Sequence, residues 1–147
     1  MEKIEWNTKN IGRFTVGASM TLFTISLTQK CYCTSEICGD SIAVFFVGMI
    51  GIFYGGATLV WLANPVILVA WILTIKNSKV AIYMSIVALA TCVSFLFFDS
   101  IIDDEGGNVR KIISYGAGYW LWTASAAALV IGNIYLIMAE TKSNKQN

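Results

Sequence analysis

Three cysteines lie close together in one short polar segment, where they could carry chemistry. They are Cys31, Cys33 and Cys38, in the stretch CYCTSEIC. In an oxidising compartment two of them should pair, and a 31–33 bridge would be strained, so we expect 31–38 or 33–38 with one thiol left over. We interpret the segment as a structural clip; a soft-metal site and a thiol–disulfide site are the alternatives.

Other catalytic groups are missing from the sequence. Histidine is absent, which removes the commonest general base and the commonest ligand of zinc and haem. No acid lies inside an apolar segment, and Arg13 stands at the edge of one. We therefore predict no enzyme, no catalytic residue, no metal and no cofactor. A net charge of +1 gives no reason to expect nucleic acid as a partner.

Composition places the chain in a membrane. Hydrophobic residues make up 56% of the 147 residues and charged residues 13%, more apolar surface than a small soluble domain can bury. A helix needs about 20 apolar residues to cross a bilayer. The sequence predicts one all-α transmembrane domain over residues 1–147, a helical bundle with four spans at about 11–29, 57–76, 80–98 and 112–139.

Charge sets the orientation of these spans. With four crossings, seven basic residues collect on the side of both termini and three on the other, as the positive-inside rule expects for cytoplasmic termini. The seven are Lys3, Lys9, Arg13, Lys76, Lys79, Lys142 and Lys145, and the three are Lys30, Arg110 and Lys111. Five crossings, which would reverse everything after Lys76, remain the alternative.

The second apolar tract, 41–75, is too long for one span and too short for two. We divide it at Gly55-Gly56 into a re-entrant or interfacial segment, 41–54, and a span. The alternative is one tilted helix that is bent at the glycines.

Proline interrupts the span that follows. Pro65 lacks the N–H that would bond the Trp61 carbonyl, so the helix should kink or break near mid-membrane. Asn64 is placed to cap the half-helix that begins at Pro65, and such broken helices form ion and substrate sites in transporters. The alternative is a kink that a neighbouring hydroxyl satisfies and that serves shape alone.

The first helix has hydroxyl groups on two opposite faces. One face, which we call the hydroxyl face, carries Gly17, Thr21, Thr24 and Thr28; the opposite one carries Thr15, Ser19 and Ser26. Either the helix is sandwiched between two protein surfaces or one face lines a polar cavity. We expect the sandwich, and with it a homo-oligomer that has this helix near a subunit boundary.

Small residues mark the packing faces of the third and fourth spans, because close approach drives helix association in lipid. The stripes are Ala81, Ser85, Ala88, Cys92 and Gly118, Ser125, Gly132. The loop between these spans carries an acidic outer rim that would concentrate cations if the protein conducts. The rim comprises Asp99, Asp103, Asp104 and Glu105.

Four motifs in order, Gly55-Gly56, WLANP, DEGG and YGxGYWLW, resemble those of a group of small bacterial multi-span membrane proteins. The resemblance covers most of 31–125. It implies a bacterial inner membrane protein and brings no activity, substrate or fold.

From these features we predict a non-enzymatic oligomer that forms a passive pore or gate in the lipid bilayer. Its polar groups would come from the first and second spans and from Asn133 in the fourth, along the face of Thr21, Thr24 and Thr28 and at the Gly55, Gly56, Asn64, Pro65 break. The alternatives are a scaffold or sensor subunit that anchors a cytosolic protein, as in envelope stress or phage defence, and a periplasm-facing thiol–disulfide protein.

Overall fold

The computed structural model describes residues 2–102 and 108–144, with side chains over 8–102 and 108–142. Its α-helices are α1 (Glu2–Leu27), α2 (Ser41–Gly51), α3 (Ala63–Ile75), α4 (Ala81–Ser94) and α5 (Ala117–Asn144). Its strands are β1 (Lys30–Thr34), β2 (Cys38–Asp40), β3 (Ser100–Ile102) and β4 (Val109–Tyr115). Short 3-10 helices occupy Ile52–Tyr54, Gly56–Leu62 and Phe95–Phe97.

The prediction of an all-α chain is wrong at one end of the molecule. Two connections between helices form a four-stranded antiparallel sheet in the order β2-β1-β4-β3. Its central pair joins segments far apart in the sequence, with Tyr32 opposite Tyr115. Strands of three to seven residues show little periodicity in the sequence, and the central pair, β1 and β4, comes from remote segments.

The predicted start of the fourth span is also wrong. Residues 112–115 belong to β4, and α5 begins at Ala117 and continues to Asn144. Hydropathy alone does not separate the apolar end of a strand from the helix that follows it. The boundary is set by Gly116, whose backbone N–H donates to the Cys31 carbonyl at 2.7 Å.

Within the described residues, two helices are long and apolar enough to cross a membrane: Gly56–Ile75 and Ala117–Lys142. Helix α1 is long enough, but its serines and threonines make it less apolar. The third predicted span is apolar but shorter, over Ala81–Phe97.

Small residues bring α1 and α5 into close contact. Gly132 faces Thr15, and a Cβ atom at Gly132 would overlap the Thr15 side chain. Ser19 lies one turn after Thr15 on α1. Its hydroxyl donates to the Ser125 carbonyl of α5 at 2.9 Å and accepts from the Trp71 indole N–H at 2.8 Å. Ser19 thus connects α1 to both α5 and α3, and this face of α1 is the one that the bundle covers.

The small-residue stripe of α4 is buried along its whole length, at Ala81, Ser85, Ala88 and Cys92. Near its first turns, a polar cluster joins three helices. The Asn133 amide N–H groups donate to the Thr74 hydroxyl at 3.0 Å and the Ser85 hydroxyl at 3.1 Å. All three side chains are buried and their polar atoms are bonded.

We predict that Gly132→Val destabilises the protein by about 1–3 kcal/mol, because its branched side chain would force α1 and α5 apart. Gly17→Val is the matched control, since a Cβ atom at Gly17 meets nothing within 4 Å. The unfolding midpoint of each variant in detergent measures the effect. Equal midpoints would show that the Gly132 contact does not hold the helices together.

Candidate functional site

A cavity of about 560 Å³ lies between the sheet, the segment that contains α2, and the adjacent ends of α1 and α5. We call it the sheet-side cavity. Its wall is mainly apolar, and no acidic or basic side chain of the described chain lines it. Several wall residues on α2 are exposed, including Ala43, Val47 and Ile50, so the cavity opens beside this helix.

One wall of the cavity is a helical hairpin, which we call the α2 hairpin. Its first arm is Ser41–Tyr54 and its second is Gly56–Leu62. The chain reverses at Gly55 and Gly56, whose φ values of 73° and 63° lie in the left-handed region that favours glycine. The predicted division of the 41–75 tract at this pair therefore coincides with a real reversal.

Two side chains lock the arms of the α2 hairpin. The Trp61 indole N–H donates to the Phe45 carbonyl at 2.6 Å, and Gly48 leaves room for the indole ring. Nearer the turn, the Thr58 hydroxyl lies 2.6 Å from the Gly51 carbonyl and 2.7 Å from the Gly55 carbonyl. The Thr58 bonds serve carbonyls at the end of the first arm, where a helix leaves such groups unpaired.

The kink or break predicted at Pro65 corresponds to a change of helix type just before it. The backbone continues from the 3-10 helix into α3, which begins at Ala63. The Asn64 side chain does not cap α3; its N–H donates at 3.0 Å to the Trp61 carbonyl, the acceptor that Pro65 cannot serve. The Asn64 oxygen accepts from the Trp122 indole at 2.9 Å. The group that donates to this carbonyl is thus the Asn64 amide and not a hydroxyl, as the alternative had it.

The structure pairs Cys33 with Cys38 and leaves Cys31 free. The pair lies directly opposite across β1 and β2, one of the two pairings expected. Cys31 lines the sheet-side cavity. Burial raises the pKa of its thiol to about 11, and a hydrogen bond with the Ser41 side chain partly offsets this rise.

The residues proposed for a pore do not come together within one chain. Thr21, Thr24 and Thr28 are exposed on the outside of α1, and each hydroxyl donates to a carbonyl of its own helix. Asn64 and Asn133 are buried in different places with their amides bonded. Gly55 and Gly56 form the tip of the α2 hairpin.

Charged groups surround the sheet rather than the cavity. Lys30 and Asp40 form an ion pair at 2.7 Å, as do Arg110 and Glu36. Asp99 of the predicted acidic rim is exposed; Asp103, Asp104 and Glu105 lie outside the described residues.

Burial raises the pKa of the Tyr115 hydroxyl, and the negative charge of Asp99 adds to the shift. Among the described residues no group of three metal-ligating side chains is close enough to hold an ion.

Sequence reasoning missed Ser41, Trp61 and Trp122 as parts of a site. The glycine spacing at Gly48 and Gly51 was an available signal, because two glycines one turn apart in an apolar helix indicate close packing. Nothing in the sequence singles out Ser41, whose buried hydroxyl lies beside the Cys31 thiol in the cavity wall.

Comparison with known proteins does not extend this picture. The chain matches no protein family, no curated protein and no solved structure.

We predict that alkylation of Cys31 by a small maleimide is slow and strongly dependent on pH. At pH 8 a thiol of pKa about 11 is about a hundredfold less ionised than one at the ordinary value of 9.0, and its rate should rise about tenfold per pH unit up to about pH 10. Both proteins for this test carry Cys92→Ala. The control adds Cys31→Ser and Lys111→Cys, which places a thiol at an exposed strand position opposite Ser100, away from the disulfide. Equal rates at pH 8 would contradict a buried Cys31.

Proposed function

We propose that the chain is an integral protein of the bacterial inner membrane whose helices α1, α3, α4 and α5 all cross the bilayer. Large apolar side chains exposed around the helices support this, since a soluble protein would not leave them in water. Examples from different helices are Phe14, Ile72, Tyr83 and Ile131. At about 39 Å, α1 is long enough to span. Together with its 3-10 turn α4 reaches about 27 Å, close to the hydrocarbon thickness.

Contacts at the end away from the sheet support the proposed cytoplasmic position of both termini. Gly12 of α1 packs against the Thr74 carbonyl, and Asn77 donates to Glu140 at 2.5 Å. The start of α1, the α3–α4 turn with Lys76 and Lys79, and the end of α5 therefore share one side. The sheet with its disulfide lies on the other, which would be the oxidising periplasm.

We further propose that the protein acts as a non-enzymatic binding protein for an apolar molecule, which enters from the membrane beside α2. The sheet-side cavity carries this proposal, since its volume and apolar wall are typical of small-molecule sites. A sensor subunit that reports occupancy to a cytosolic partner would use such a site, and it was one of the alternatives open from the sequence.

We predict that Ala43→Phe, which adds a ring to the cavity wall, weakens binding of an apolar probe at least tenfold. Ala90→Phe is the control, because Ala90 is an exposed residue of α4 that does not line the cavity. Native mass spectrometry of the purified protein with dodecylbenzene measures occupancy. Equal occupancy in both variants would place the binding elsewhere and overturn the proposal.

A second candidate is a passive pore between several copies of the chain. The exposed hydroxyl face of α1 favours it, because a single chain leaves that face uncovered.

Ion flux through liposomes tests this candidate. Thr24→Val removes one hydroxyl without a change in shape and should lower flux, whereas Thr91→Val, on the outside of α4 and bonded to its own helix, should not. Wild-type liposomes without flux would exclude a passive pore under those conditions.

A further inference from the structure

The sheet-side cavity is long and narrow. Its wall follows the first arm of the α2 hairpin over 43–54, where wall residues recur turn after turn at Ala43, Val47, Ile50 and Tyr54. This length of helix is about 17 Å, so a volume of about 560 Å³ gives a mean cross-section of about 33 Å². A circle of that area is about 6.5 Å wide, and carbon groups in contact lie about 4 Å apart. The cavity therefore admits one methylene chain but not two side by side.

The large polar side chains of the inner wall are already bonded within the chain. The Tyr119 hydroxyl donates to the Cys92 carbonyl at 3.2 Å, the Trp122 indole donates to the Asn64 oxygen, and Trp61 is bonded within the α2 hairpin. A polar ligand group placed there would lose its bonds to water and gain none in return. The body of the cavity therefore suits a hydrocarbon.

The open side of the cavity lies beside a helix with an apolar outer surface. Phe46, Val47 and Phe53 are each more than half exposed, and no acidic or basic residue occurs over 41–75. Such a surface belongs in the hydrocarbon of a bilayer, where the abundant single methylene chains are the acyl chains of lipids. A hydrocarbon core of about 30 Å gives each leaflet chains that reach about 15 Å, close to the length of the cavity.

We propose that the sheet-side cavity holds one acyl chain of a bilayer phospholipid, whose polar head remains outside. The inference rests on the proposed binding function and adds the chemical class of the ligand. Lys30 and Asp40 directly precede wall residues of β1 and α2 and form an exposed ion pair, so charged groups border the cavity at the sheet. The head lies at this level, and the chain extends along α2.

Photolabelling of the protein in nanodiscs tests the proposal with two probes. One is a phospholipid with a diazirine near the end of one acyl chain; the other is an alkane of the same chain length with the same diazirine and no head. Mass spectrometry of peptides locates the labels after illumination. The phospholipid should label the wall behind α2, at Leu27, Ile102 or Trp122, which lie on three different elements.

Ala43→Phe adds a ring at the open side and should lower this labelling at least fivefold. Ala90→Phe is the matched control, because Ala90 is exposed on α4 away from the cavity, and it should leave the labelling unchanged. Label on Ile86, an exposed residue of α4 outside the cavity, reports contact with ordinary bilayer lipid and should be equal in all variants. Val47→Trp, one turn further along the same wall, repeats the block should Ala43→Phe not fold.

Two results would overturn the proposal. One is phospholipid label confined to outward residues such as Ile86; the other is label on the wall that neither Ala43→Phe nor Val47→Trp reduces. If the alkane labels the wall and the phospholipid does not, the cavity binds free apolar molecules and only the lipid chain is excluded. If neither probe labels the wall, the proposed binding function fails as well.

Discussion

The Ser19 hydroxyl connects three helices through two hydrogen bonds, and the rest of the bundle depends on that junction. It donates to the Ser125 carbonyl and accepts from the Trp71 indole, so α1, α3 and α5 meet at one oxygen. In apolar surroundings a polar group without a partner costs more than the bond contributes when made. The junction therefore fixes the relative positions of the three helices, while the neighbouring small residues allow their backbones to approach.

The same requirement explains the two asparagines that were predicted to line a pore. The Asn64 side chain donates to the Trp61 carbonyl, which Pro65 cannot serve, and accepts from Trp122, and Asn133 joins Thr74 and Ser85. Their side chains hold the helices together, and neither amide is left free to coordinate an ion. An asparagine within an apolar segment indicates that polar groups there need hydrogen-bond partners. It does not by itself indicate a pore.

Local features of the sequence predicted the mostly helical character of the chain, and remote pairings were missed. The Gly55-Gly56 reversal and the small-residue stripe on α4 depend on conformational freedom and size at a few neighbouring positions, which the sequence displays. The sheet and the sheet-side cavity depend on which short segments meet across the chain, and composition carries little information about that. The partner of a single residue such as Ser41 is set by the packing of several elements.

The sheet also implies an order of assembly during synthesis. Strands β1 and β2 are joined by a short turn, so their pairing and the Cys33–Cys38 bond need nothing that follows them in the chain. Strand β4 comes much later in the sequence than β1, with which it pairs. It therefore adds to a hairpin that has already formed. Helix α5 begins two residues after β4. The pairing of β4 with the β1–β2 hairpin therefore positions the start of this last long helix.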